Sequence, residues 1–273
     1  MTEAAAALLR RLGSQTGQVL PLIEGAIAFA ELERPGIDSA PQRQHLKELA
    51  SAVRQAAGGD AELDEQVEAL GAVIGGVYGY RGDTENYDDI ANADILRAID
   101  RRRGLPVTLG ILYIHVARAQ GWDAAGLNFP GHFLIGLGED DRYAIIDPFA
   151  GGIACDAERL GELLRGLDET ATLQPHFRRR VPDREVLLRL QNNIKSRLIR
   201  AGEPEHAVAV IERMLLLAPD HAGLWYEAGL LNAHLDRFGG AATALQAAIR
   251  HAPSSPEREQ AALLLQHVRG KLN

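Results

Sequence analysis

"GLPVTLGILYIHVARAQGWDAAGLNFPGHFLIGLGEDDRYAIIDPF", Gly104 to Phe149, changes its period midway, and that change decides the fold. The first part is apolar on nearly every side: Leu109, Ile111, Leu112, Ile114 and Val116 leave no polar stripe, which marks a buried helix. Pro106 suits its first turn, or Thr108 caps it, and Gly121 ends it. Short runs then follow, "AAGLNF", "HFLIGL", "YAIID" and a fourth, "GGIAC", parted by Pro-Gly, Gly-Glu-Asp-Asp and Gly-Gly turns. The stretch predicts a small antiparallel sheet packed on the buried helix, an α+β arrangement. His132 opens one run and Asp147 closes the next. On adjacent antiparallel strands they would lie side by side, with the carboxylate orienting the imidazole.

Upstream, the chain reads as helix up to about Tyr80. "LPLIEGAIAFAELERP" stops at Pro35, and "HLKELASAVRQAAGG" stops at Gly58-Gly59. "ELDEQVEALGAVIGGVYGY" forms a further segment. A polar loop, "RGDTENYDDIANAD", offers helix caps at Asn92 or Asp94 before the short helix "ILRAIDRRRG", closed by Gly104. "MTEAAAALLRRLGSQ" has its charges too close together for the apolar core of a signal peptide and reads as an ordinary first helix. Downstream, Asp156 caps "DAERLGELLRGL". "QPHFRRRVPDR", Gln174 to Arg184, reads as a linker. The expected domains are 1–177, α+β, and 178–273, all helical.

The helical part repeats. Pro219 and Pro253 are spaced by about 34 residues, the tetratricopeptide period. Between them, Trp225 and Gly229 fall at the large and small positions of a first helix, and Ala241 and Ala248 at small positions of a second. Two helices approach closely only where side chains are small. The preceding repeat keeps Ala207 and Pro219 but carries Gln191 and Lys195 at its first two marked positions. "EREQAALLLQHVRGKLN" reads as a capping helix.

Composition narrows the function. The chain of 273 residues is 46% apolar and 24% charged, as in globular proteins, and no run approaches the ~18 apolar residues of a membrane span. A net charge of −8 argues against general affinity for nucleic acid or anionic membrane. The single cysteine, Cys155, excludes an internal disulfide and a cysteine-built zinc site, and makes the cytoplasm the simplest compartment. As a nucleophile Cys155 lacks an electropositive setting, so a small buried residue is the expectation. His132, Asp147 and His115 offer three metal ligands, yet no HxxxH or HExxH pair supports a site. The run Arg101, Arg102, Arg103 could bind an anion, although cations also suit a solvated helix end. Gly138 to Asp141 is a turn, too short for a calcium loop. Gly71, Gly75, Gly76 and Gly79 match no phosphate loop and suit close helix approach. No cofactor is expected.

The run "RRRGLPVTLGILYIHVARAQGW…GLNFPGHFLIGL…IIDPFAGG", with "YGYRGDTENYDD" upstream and the repeats downstream, resembles a SirB-type bacterial family. That family joins a transglutaminase-like, papain-like core to tetratricopeptide repeats. The likeness runs from about Ala26 to the C-terminus and is most specific in "RRRGLPVTL", "FPGHF" and "DPF". The resemblance implies a cysteine after the helix-opening glycine, then a histidine and an aspartate on successive strands. The histidine position matches His132 and the aspartate position Asp147. The cysteine position falls at about Pro106, which lacks a thiol. The expectation is therefore a pseudoenzyme: a cytoplasmic bacterial regulator that binds a protein partner through its repeats, and neither nucleic acid nor membrane. The competing expectation is a hydrolase or amide-transfer enzyme using His132 and Asp147 with another nucleophile.

Overall fold

The structure, a computed structural model, describes residues 2–15, 17, 19–139, 142–252 and 256–272. Its helices are α1 (Thr2–Gly13), α2 (Leu22–Glu33), α3 (Ala40–Ala57), α4 (Leu63–Leu70), α5 (Ile95–Arg101), α6 (Pro106–Ala119), α7 (Ala157–Arg165), α8 (Asp183–Arg200), α9 (Pro204–Leu217), α10 (Ala222–His234), α11 (Phe238–His251) and α12 (Pro256–Leu272). Its strands are β1 (Arg81–Gly82), β2 (Arg103–Gly104), β3 (Ala124–Gly126), β4 (Ile135–Glu139), β5 (Arg142–Asp147) and β6 (Ile153–Ala154). Two compact units emerge. One spans residues 17–190; the other joins residues 1–16 to 191–273. Relative to a cut at 177/178, residues 178–190 fall in the first unit and residues 1–16 in the second.

In the first unit α6 is the central helix. All of it is buried except His115, Arg118 and Ala119, as its unbroken apolar surface requires. Pro106 occupies the first turn after Leu105. Thr108 is no cap: fully buried, its hydroxyl donates to the Asn92 carbonyl at 2.8 Å. Asp94 caps α5 by accepting from Leu96 N and Arg97 N, and Asp156 caps α7 through Arg159 N. The helix α5 ends at Arg101, with Arg102 in the left-handed conformation (φ 54°); Gly104 lies beyond it in β2. The short strands β1 and β2 pair in parallel, Gly82 opposite Gly104.

The sheet runs β3-β4-β5-β6, antiparallel throughout, with Ile135 opposite Ile146. Its strands are shorter than the apolar runs suggest. Residues 132–134 precede β4 rather than belonging to it, so His132 stands on a loop. The basic segment expected as a linker is part of this unit. Asn128 N donates to Arg179 O at 2.9 Å and Val181 N to Gly126 O at 2.8 Å, which lays residues 179–181 along β3. Asp183 then receives Leu20 N and the Arg118 guanidinium.

In the second unit α9, α10, α11 and α12 pack in succession, and α1 packs on α9. Gly229 is small for a visible reason: a Cβ there would lie 2.6 Å from Leu245 Cγ. Ala207, Ala241 and Ala248 are buried, and Trp225 Nε1 donates to the Pro219 carbonyl at 2.7 Å. Ala261, Leu265 and Val268 of α12 cover the apolar face of α11, as a cap should. Gln191 and Lys195 are buried, and the Lys195 ammonium is paired with Glu227. Pro253 lies outside the described residues.

Candidate functional site

His132 follows a Pro130-Gly131 bend in which Gly131 takes a φ of +66° against the Leu167 side chain. Both flanks of the histidine are pinned. Its carbonyl accepts from Arg189 Nη2 of α8 at 2.8 Å. The next side chain, Phe133, enters the core between two glycines; a Cβ on Gly110 would meet its ring at 2.3 Å, and one on Gly126 at 2.6 Å. Arg189 also lies over that ring, 5.4 Å from its centroid, and burial lowers its pKa. The loop is therefore held by packing and by a charged hydrogen bond, though it belongs to no strand.

Asp147 ends β5 and is almost fully buried. Its Oδ1 accepts from His132 Nε2 at 2.8 Å, Phe149 N at 3.0 Å and Ala150 N at 3.3 Å. A carboxylate can only accept, which assigns the proton to Nε2 and leaves Nδ1 as the imidazole nitrogen open to another group. The Phe149 ring stands edge-on to the imidazole at 5.9 Å and occupies the space a Cβ on Gly82 would take. The Tyr87 ring also meets Phe149 edge-on, its centroid 5.9 Å away. So the pair has a direct hydrogen bond, an aromatic wall and fixed neighbours.

Pro106 relates to this pair through one face of α6. Pro106, Gly110 and Tyr113 share that face at i, i+4 and i+7. Gly110 receives Phe133, the neighbour of His132. Tyr113 packs against Gly152, whose N–H donates to the Asp147 carbonyl at 2.9 Å. The face that starts at Pro106 thus meets both segments that carry the pair.

The other candidates are occupied elsewhere. Cys155 is buried among Leu127, Phe129, Leu134, Ile145, Leu160 and Leu164. Burial, with the Asp147 charge second, pushes its thiol up to about 12, so it stays protonated at neutral pH. His115 lines a separate cleft of roughly 250 Å³ with Leu20, Leu22 and Ile114, and burial lowers its pKa. Among the described residues no group of three His, Cys, Asp or Glu side chains could hold a metal ion. Arg101 pairs with Asp83 and Asp89, each at 3.0 Å; Arg102 lies over Tyr78; Arg103 donates to the Gly79 carbonyl. The close approach made by Gly71 and Gly75 is to the Gly151-Gly152 turn rather than to another helix; a Cβ on Gly75 would meet Gly151 O at 2.0 Å. Asp140 and Asp141 of the expected turn lie outside the described residues.

Three further residues of the site are weakly marked in the residue pattern or not marked at all. Arg189 comes from a distant helix, and Phe149 is signalled only by its place in "DPF". Tyr113 could be found from its spacing to Pro106.

Comparison with known proteins agrees with this division of the chain. Residues 41–192 match the family described as the transglutaminase-like superfamily, and residues 194–266 match the tetratricopeptide repeat. A UPF0162 protein of Xylella fastidiosa is 28% identical over 267 residues, covering 91% of this chain and 90% of its own. Protein SirB1 of Salmonella typhimurium is 25% identical over 242 residues, covering 88% of this chain and 89% of its own. F-box only protein 21 of Mus musculus shares 31% identity over 91 residues, 33% of this chain and 14% of that protein.

Proposed function

Because the chain belongs to the transglutaminase-like superfamily, in the SirB-type arrangement with tetratricopeptide repeats after the core, we propose that it is a non-catalytic interaction or regulatory protein. The observation that carries this reading is the state of sulfur in the chain. Its one cysteine, Cys155, is buried in the core with a pKa near 12, while the residue heading α6 on the face toward His132 and Asp147 is Pro106. On the likeness read from the sequence the nucleophile position falls at about Pro106, a residue without a thiol, and this supports the reading. His132 and Asp147 then hold the loop and the sheet edge together, a role a buried polar pair fills without chemistry. The repeats supply the surface for a protein partner. A net charge of −8 and the lack of a helix long and apolar enough to cross a membrane, among the described residues, favour a protein partner in the cytoplasm over nucleic acid or lipid.

One observation favours a second reading, a hydrolase or amide-transfer enzyme. His132 Nδ1 is left open while Asp147 orients the ring through Nε2, the geometry of a general base. One experiment separates the two. The purified full chain is assayed for turnover of glutaminyl peptides and simple esters, beside His132→Ala checked for folding by circular dichroism. No turnover in either protein is the expected result. Turnover lost in folded His132→Ala overturns the non-catalytic reading.

A further inference from the structure

Acidic residues outnumber lysine and arginine in this chain, 37 to 29, yet three arginines stand together with no carboxylate on any of them. They are Arg81 of β1, Arg102 at the C-cap of α5 and Arg103 of β2. Among the described residues no ion pair reaches them; Asp83 and Asp89 both pair with Arg101 instead. The fold fixes where they stand. Arg81 and Arg103 are register partners in the parallel β1-β2 pair, so their side chains leave one face about 4.8 Å apart. The other face is closed. The Phe149 ring fills the Cβ space of Gly82, and Ala98 and Leu109 stand against Gly104. One carbonyl ties the three arginines together: Arg102 O accepts from Arg81 N at 3.3 Å and from Arg103 Nη1 at 2.9 Å. Arg103 Nη1 also donates to Gly79 O at 3.0 Å, which leaves the Nε and Nη2 donors of that guanidinium open. Arg102 lies over the Tyr78 ring, 5.8 Å from its centroid. Its backbone is left-handed (φ 54°) where glycine is the usual occupant, so this side chain is placed against backbone preference. A solvated helix end would put the cations on the last carbonyls of α5. The hydrogen bonds observed go to Gly79 O and Arg102 O instead. Like charges at opposed strand positions repel, and nothing in the fold answers them.

We propose that Arg81, Arg102 and Arg103 form a binding site for a phosphate monoester group, carried by a small molecule or by a phosphorylated side chain. Two guanidinium forks side by side offer paired donors to a tetrahedral dianion, and the third cation, over Tyr78, adds its charge. A carboxylate carries one charge and suits one fork, so it binds more weakly. His45 reports on the site. Its ring meets Tyr78 edge-on, centroids 5.5 Å apart, and bonds the Tyr80 hydroxyl at 2.8 Å. Burial first and the Arg102 charge second lower the His45 pKa, while the charges of Glu48 and Asp100 raise it.

The test is titration of the full chain with inorganic phosphate at low ionic strength, followed by calorimetry and by NMR of the His45 ring. Saturable binding is expected, with the His45 titration midpoint moving up as the anion offsets Arg102. Arg81→Gln and Arg102→Gly should each weaken binding roughly tenfold or more, the worth of a charged hydrogen bond. Both spare the fold: the Arg81 side chain makes no hydrogen bond among the described residues, and glycine suits the left-handed position. Arg165→Gln removes the same charge from the exposed end of α7 and should leave the affinity unchanged. A phosphoserine peptide and its unphosphorylated form identify the source. Tighter binding of the phosphopeptide than of phosphate assigns a phosphorylated side chain; equal or weaker binding assigns a small phosphate ester; either supports the site. The proposal is overturned if phosphate gives no saturable shift, if acetate matches phosphate, or if Arg165→Gln weakens binding as much as Arg81→Gln. Preference for a single-stranded oligonucleotide of phosphodiesters over the monoester overturns it as well, in favour of nucleic acid.

Discussion

Gly110 on α6 and Gly229 on α10 solve the same packing problem with different consequences. Each sits mid-helix, where glycine costs about 1 kcal/mol against alanine. Each is retained because a neighbour's side chain fills the space of its missing Cβ: the Phe133 ring at 2.3 Å, and Leu245 Cγ at 2.6 Å. In the repeat unit the filled notch only sets how closely two helices pack. In the first unit the filling side chain adjoins His132, so the notch fixes a loop that carries a polar group. Packing density is spent on spacing in one region and on aim in the other.

Removing the filling side chain tests this most severely. Phe133→Ala leaves a cavity bounded by Gly110, Gly126 and the Arg189 guanidinium, none of which can close in. The expected loss is about 3–5 kcal/mol by urea denaturation. The His132 NMR signals should broaden or move in any variant that still folds. A loss below about 1 kcal/mol would mean the loop is held by its hydrogen bonds alone.

Filling the notch is gentler and discriminates between the regions. Gly110→Ala pushes a rigid ring that Gly126 also confines. The overpacking cost of about 1–3 kcal/mol exceeds the helix-propensity gain, and the variant is destabilised. Gly229→Ala meets the buried Leu245 at Cγ, 2.6 Å away, but among the described residues no second glycine notch confines that side chain, so its net change should be smaller. Equal losses in the two variants, by chemical denaturation, would erase the distinction.

Cys155 gives a weaker contrast, between a core thiol and the exposed thiol of the unfolded chain. Its folded pKa is raised from 9.0 to about 12. The sign follows from linkage: above pH 9 the unfolded chain releases this proton and the folded one keeps it. The contribution is complete below about pH 9 and is lost progressively between about 9 and about 12. Relative to Cys155→Ala, the wild type should therefore lose stability faster between pH 8 and pH 10 in urea denaturation, and its thiol should resist alkylation until it unfolds. Ready alkylation of the folded chain at pH 8 would place the thiol in an open site and reopen thiol chemistry.

How far the fold could be read follows from which interactions decide each element. The helix α6 was legible because burial on all sides leaves an unmistakable apolar pattern, and the sheet because its turns carry Gly and Pro. The meeting of His132 and Asp147 was legible as the ends of a hairpin. That His132 stands on a loop was not, since Gly131 and the buried Phe133 decide it through distant partners. The strand-like pairing of residues 179–181 uses backbone groups, which three arginines conceal. The helix α1 packs with the repeats by long-range contact to α9, and twelve Ala-rich residues do not announce a partner.

The smallest effect concerns two polar pairs, one in each unit. His132–Asp147 joins a carboxylate that is 2% exposed to three donors; Lys195–Glu227 joins a buried ammonium to a carboxylate that is 44% exposed. Water already solvates Glu227, so removing its partner strands no buried charge. Lys195→Met keeps the aliphatic stem that packs inside the repeat and deletes only the charge. The expected change is under about 1 kcal/mol. Asp147→Asn, by contrast, leaves His132 Nε2 and two backbone N–H groups facing an amide and should cost several times more by the same denaturation assay. If Lys195→Met proved as costly as Asp147→Asn, exposure would not be what separates the pairs, and the buried ammonium at a repeat position normally held by a small residue would have to be fixing the register of α8 against α10.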